Sequence, residues 1–115
     1  MHKLVIAIEP LENEPAFQES WPRFLHLAEK MPGLLKESTS WIHKTLYGAF
    51  PYILIHELYF DSLEALKRAM SSPAGREAGV LLQEITAGKV ALAIADHNED
   101  QLENIKRFRT GGEND

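Results

Sequence analysis

Histidine is the only side chain type here that ordinarily titrates near neutrality, and the chain has five histidines and no cysteine. His56 has the most apolar setting of the five. It lies in Tyr52–Phe60, YILIHELYF, where two-residue alternation puts Tyr52, Leu54, His56, Leu58 and Phe60 on one strand face and Ile53, Ile55, Glu57 and Tyr59 on the other. An imidazole among apolar neighbours can act as a general base or hold a ligand oxygen. It can equally be a structural histidine bonded to a neighbour. Glu57 points to the opposite face, so the two cannot chelate one ion. On that face it is expected to form a hydrogen bond or ion pair between subunits.

The other candidate base is His26. Phe17, Trp21, Phe24, Ala28 and Met31 recur at helical spacing and form one stripe of a helix from about Pro15 to Met31. On a straight helix His26 points away from that stripe, toward solvent. Pro22 cannot donate to the carbonyl of Gln18, so the helix is expected to kink there or to restart with Ser20 as cap, and only a kink could rotate His26 inward. A pocket between this helix and the His56 face would be lined by Trp21, Phe24, Leu54 and Phe60, with Trp41, Tyr47 or Tyr52 near its mouth. His43 shares a face with His56 only if the strand register allows it. With no third ligand, neither a structural zinc nor a facial-triad iron site is expected. The chain has no glycine-rich phosphate loop, nucleophile elbow or dinucleotide fingerprint.

These residues need a scaffold, and 115 residues supply a single domain able to bury roughly two-thirds of its unfolded surface. A formal charge of −5 argues against a nucleic-acid surface, and no apolar run is long enough to span a bilayer. Without cysteine or a signal-peptide layout, the cytoplasm is the expected location. Lys3–Ile8, KLVIAI, reads as a central strand ending at Glu9-Pro10. Residues 34–46 read as an edge strand with a partly wet face. Gly48 and Pro51 predict a hairpin turn over Tyr47–Pro51. Asp61, with Glu64 three residues on, predicts a capping box for a helix burying Leu63, Leu66 and Met70. Ser72-Pro73 starts a further helix carrying Ala78, Leu81, Leu82 and Ile85, closed by Gly88. Gly75 and Gly79 in that helix fit close helix packing, and Val90–Ala95 forms the last strand.

The order predicts an α+β, ferredoxin-like βαββαβ fold, a four-stranded antiparallel sheet with helices on one face. The other face would carry Ile53, Ile55 and Tyr59, an apolar patch best covered by a second copy, which predicts a homodimer through the open sheet face. The domain is expected over residues 1–95. Residues 96–115 form a charged tail in which Leu102, Ile105 and Phe108 mark a short helix docked on the partner, and residues 110–115 look disordered.

Four segments together resemble the EthD family of small dimeric α/β-barrel proteins. They are Glu57–Leu66 (ELYFDSLEAL), Ser72-Pro73-Ala74-Gly75, Phe17 with Trp21, and Met31-Pro32-Gly33-Leu34. The likeness spans about residues 3–95. It implies a ferredoxin-like fold, a homodimer, a pocket between sheet and helices, and a role in oxidative degradation of small organic molecules such as ethers. The family pattern has a histidine between the helix tryptophan and the Pro-Gly-Leu; here that position falls on Leu25 counting from Trp21, or on Phe24 counting back from Pro32. No cofactor is expected. Related dimeric barrels include haem-degrading enzymes, so a haem is left open, with His26 or His56 as axial ligand. Two function classes follow. One is a cofactor-independent oxygenase, isomerase or lyase using His56 as base. The other is a non-catalytic dimer that binds a small apolar metabolite or serves a structural role.

Overall fold

The computed structural model describes residues 1–103. Its elements are β1 (His2–Ile8), α1 (Glu14–Glu29), β2 (Lys36–Trp41), β3 (Leu54–Phe60), α2 (Leu63–Ser71), α3 (Pro73–Thr86) and β4 (Val90–Asp96). All neighbouring strands are antiparallel, in the order β2-β3-β1-β4. This is the expected ferredoxin-like arrangement, with the second crossover divided at Ser72-Pro73 into two helices. The central place of β1 accounts for its near-continuous apolar run, because both of its edges are paired and its alternate residues face the helices. No helix among the described residues is long and apolar enough to cross a membrane.

Register decides what shares a face. On the helix side, Thr39, His56, Ile6 and Leu92 form one row across the sheet, flanked by the rows Glu37-Leu58-Leu4-Ile94 and Trp41-Leu54-Ile8-Val90. The middles of these rows are sealed: Ile6, Ile8, Leu54, His56 and Leu58 are all buried. Each fully buried aliphatic or aromatic side chain here contributes ~1.5–3 kcal/mol. The rows open at the edges, where Trp41, Leu92 and Ile94 are about half exposed.

Helix α1 stays one helix through Pro22. Pro22 is exposed, while Phe17, Trp21, Phe24 and Ala28 face the core. The missing donor therefore falls on the wet side, and no restart at Ser20 occurs. Asn13 caps the start, accepting from the Ala16 amide at 3.1 Å. The cap of α2 is Ser62 rather than Asp61: its hydroxyl accepts from the Ala65 amide at 3.1 Å, so the Asp61–Glu64 capping box does not form. Both residue types make good caps, and the shift of one residue is set by where β3 releases the chain. Ser72 caps α3 as expected, accepting from the Gly75 amide at 3.1 Å. At the far end of α3 the left-handed turn begins at Ala87 (φ 52°), one residue before Gly88. Gly75 lies so close to α2 that a Cβ there would meet the Ala69 and Met70 carbonyl oxygens, whereas Gly79 has open space.

A further expectation is corrected, and Glu57 also has a partner within its own chain. The turn between β2 and β3 is not tight: β2 ends at Trp41 and residues 42–53 form an irregular loop, with Leu46 and Tyr47 almost fully exposed. The glycine and proline signals mark that loop without setting its length. Glu57 finds its partner within the chain, pairing with Lys3 on β1. The two are diagonal neighbours, since Lys3 stands opposite Tyr59 and Val5 opposite Glu57. The open face is accordingly more polar than its β3 residues alone imply. Tyr59 is largely buried there, with the Lys3 and Lys36 ammonium groups and the His97 ring against it. The tail helix through Ile105 and Phe108 and the disorder of residues 110–115 fall outside the described residues.

Candidate functional site

The helix-covered face of β3 carries one ionisable side chain, His56, and every strand and helix around it helps fix its ring. Ile6 stands opposite it on β1, and Thr39 on β2. From above, α1 sets the edge of the imidazole against Trp21 (ring centroids 5.2 Å apart, interplanar angle 87°) and Phe24 (6.1 Å, 79°). Trp21 itself stacks on Phe24 at 5.0 Å and leans on Phe17 at 5.3 Å. The aromatic stripe of α1 therefore ends on the imidazole, and His56 has 0% exposure.

Inside this shell the two ring nitrogens differ. Nδ1 lies 2.8 Å from the Thr39 hydroxyl, a good hydrogen bond whichever group carries the proton. Nε2 has no hydrogen-bond partner. Facing it at 4.0 Å is Oε2 of Glu37, a buried carboxyl oxygen that also lacks one. Burial pushes the His56 pKa down to about 4, with the charge of Glu57 pulling weakly the other way. Burial, with the charge of Glu29 added, holds the Glu37 carboxyl above its usual range. At neutral pH the imidazole is thus uncharged, and the 4.0 Å approach is not an ion pair. A neutral histidine with one nitrogen anchored and the other unoccupied is arranged to accept or donate one hydrogen bond.

The other sequence candidates are placed as follows. Trp21, Phe24, Leu54 and Phe60 are all buried in one core, where Trp21 and Phe24 lie against the His56 ring, Leu54 is its neighbour on the same face of β3, and Phe60 sits farther along that strand. Trp41, at the end of β2 and opposite Leu54, is half exposed on the same face. His26 is exposed on the outer side of α1, with Pro22, Arg23, Leu27 and Leu81 around a shallow cleft, and is not brought to His56. Thr39 and Glu37 were not singled out by sequence. Alternation along β2 puts Glu37, Thr39 and Trp41 on one face, but only the register to β3 shows that this face is the one shared with His56.

His56 does not line any of five cavities found among the described residues. The largest, about 470 Å³, lies between the start of α1 and the end of α3, against Asn13, Phe17, Arg23, Glu84 and Lys89. A small apolar void of about 70 Å³ lies beside Phe24, over Leu4 and Leu58, well below the ~300 Å³ of a typical ligand pocket. Because His56 is fully buried, a ligand that reaches its ring has to displace part of the shell around it. No group of three or more potential metal ligands occurs among the described residues. His56 has 0% exposure with the Trp21 and Phe24 rings against it, so these residues as packed leave no place for a porphyrin beside Nε2.

Comparisons with known proteins agree with the fold. An EthD family protein from Bacillus halodurans is 27% identical, with a TM-score of 0.79 over 85% of this chain and 99% of that one. A dimeric ferredoxin-like protein of unknown function from Jannaschia is 17% identical, with a TM-score of 0.65 over 84% of this chain and 98% of that one. SnoaB from Streptomyces nogalater, a cofactor-independent oxygenase, is 10% identical, with a TM-score of 0.65 over 88% of this chain and 96% of that one. No family model and no curated protein matches the chain.

Proposed function

We propose, from its likeness to the EthD family in fold and sequence, that this chain binds a small apolar or aromatic molecule between α1 and the sheet, where His56 meets it. The observation that carries this reading is the unpartnered Nε2 of a fully buried, neutral imidazole. Leaving a buried polar atom unpaired costs ~1–3 kcal/mol, which a purely structural histidine has no reason to bear. Thr39 fixes the ring through Nδ1, and Trp21 and Phe24 supply apolar walls from α1.

As an enzyme, the chain would run proton chemistry. His56 takes a proton from an acidic position of the bound molecule, the anion formed beside the ring offsets the burial that otherwise disfavours the imidazolium, and that anion then rearranges or gives electrons to dioxygen as the oxidant. The oxygenase class is supported by fold alone, through SnoaB. The second reading, a non-catalytic binding dimer, is favoured by the complete burial of His56 and by cavities that lie elsewhere. The dimer in either case forms through the open sheet face, a proposal supported by the dimeric description of a neighbour of the same fold.

Screening aromatic and ether compounds for turnover, with wild type beside His56→Ala and His56→Gln, separates the two. Loss of turnover in both variants with the dimer intact supports the enzyme. Unchanged turnover removes His56 from the chemistry.

A further inference from the structure

Glu37 and His56 come from different strands and present two buried, unpartnered polar atoms to each other across 4.0 Å. That gap is too long for a direct hydrogen bond. An oxygen ~2.8 Å from each atom would fit between them, with an angle of roughly 90° at the oxygen. We propose that Nε2 of His56 and Oε2 of Glu37 form a two-ended receptor for a single hydroxyl group, and that the bound molecule is a phenol or an alcohol held by that hydroxyl. This rests on the reading that a ligand reaches His56.

The choice of a hydroxyl follows from proton counting. Thr39 occupies Nδ1 in either tautomer, which leaves Nε2 as one donor or one acceptor. If Nε2 carries hydrogen, it donates to the hydroxyl oxygen, and the hydroxyl donates to the Glu37 carboxylate. If Nε2 is bare, it accepts from the hydroxyl, and a protonated Glu37 donates to the hydroxyl oxygen. When the two facing atoms carry one proton between them, as in both of these arrangements, the bridging group must donate once and accept once. A hydroxyl does both, an ether oxygen only accepts, and a methyl does neither. Burial leaves the His56 ring uncharged and raises the Glu37 pKa, which eases the second arrangement relative to an exposed carboxyl.

Access is consistent with this. Glu37 lies on the edge strand with its side chain 25% exposed, while its Oε2 is turned inward. Thr39 and Trp41 follow it along the same face of the same strand. A ring entering from the β2 edge would bring its substituent to the pair first and rest its face among Trp21, Phe24 and Trp41.

The test measures binding of phenol, anisole and toluene to the full-length protein by ligand-observed NMR, in wild type, Glu37→Leu and Glu37→Gln. Phenol should bind at least tenfold more tightly than anisole or toluene. Glu37→Leu, which leaves only the Nε2 end, should cut the preference for phenol at least threefold, and Glu37→Gln, which can still donate and accept, should restore it. Should Glu37→Leu fold poorly, His56→Phe serves as the second variant, with the same expected loss of preference. If the three ligands bind wild type alike, the gap takes only water and the hydroxyl receptor is wrong, while the ligand site stands. If none binds, the ligand site fails and the receptor fails with it.

Discussion

Replacing His56 by leucine should flatten the pH dependence of stability, and the size of the effect can be worked out. In the unfolded chain the imidazole takes its proton near its ordinary 6.5, whereas in the fold it resists until about 4. Between those values the unfolded state binds more protons, so stability rises with pH there and falls as the solution is acidified. The loss begins near pH 6.5, is complete near pH 4 and amounts to about 3 kcal/mol. Glu37 acts with the opposite sign. Its folded carboxyl holds a proton more readily than the unfolded one, so acidification through its range favours the fold. A Glu37→Gln background removes that contribution. The assay is urea unfolding followed by tryptophan fluorescence at fixed protein concentration, at half-unit steps from pH 7.5 to 4. The remaining carboxylates titrate in both proteins, so the difference between wild type and His56→Leu isolates the imidazole. Parallel stability curves would refute the claim that His56 is buried and neutral in the native state.

Three further outcomes follow from the packing. Gly75→Ala drives a Cβ into the Ala69 and Met70 carbonyls and should cost about 2 kcal/mol or more, while Gly79→Ala, with open space around it, should be neutral or stabilise by up to ~1 kcal/mol; thermal melts of the pair decide this. Ser62→Ala should lower stability by ~1 kcal/mol and Asp61→Ala by much less, because only Ser62 accepts from the first turn of α2. Light scattering at micromolar concentration should give a dimer, and a monomer would contradict assembly through the open sheet face.

Much of this architecture is legible in the residues because alternation and spacing are local signals. KLVIAI announces a strand that is paired on both sides, YILIHELYF assigns His56 to the covered face, and the Phe17-Trp21-Phe24 stripe gives the face of α1 that lands on it. The features that escaped depend on register. Glu37 looks like one more polar residue on a wet edge strand until its pairing opposite Leu58 places it beside His56. Lys3 and Glu57 lie far apart in sequence, and only the β1–β3 ladder makes them diagonal neighbours. The loop over residues 42–53 escaped because Gly48 and Pro51 signal a reversal without fixing how many residues it takes. The tight packing of Trp21 and Phe24 against the His56 ring is a result that no sequence pattern reports.

The central claim, that Nε2 of His56 is the atom a ligand meets, is tested most directly by NMR of the ¹⁵N-histidine-labelled protein as an aromatic ligand is added. The account predicts that the Nε2 resonance of His56 shifts on saturation while Nδ1, held by Thr39, and the exposed His26 ring change little. A His56 ring unmoved by a ligand that demonstrably binds would contradict it and send the search to the cleft between α1 and α3.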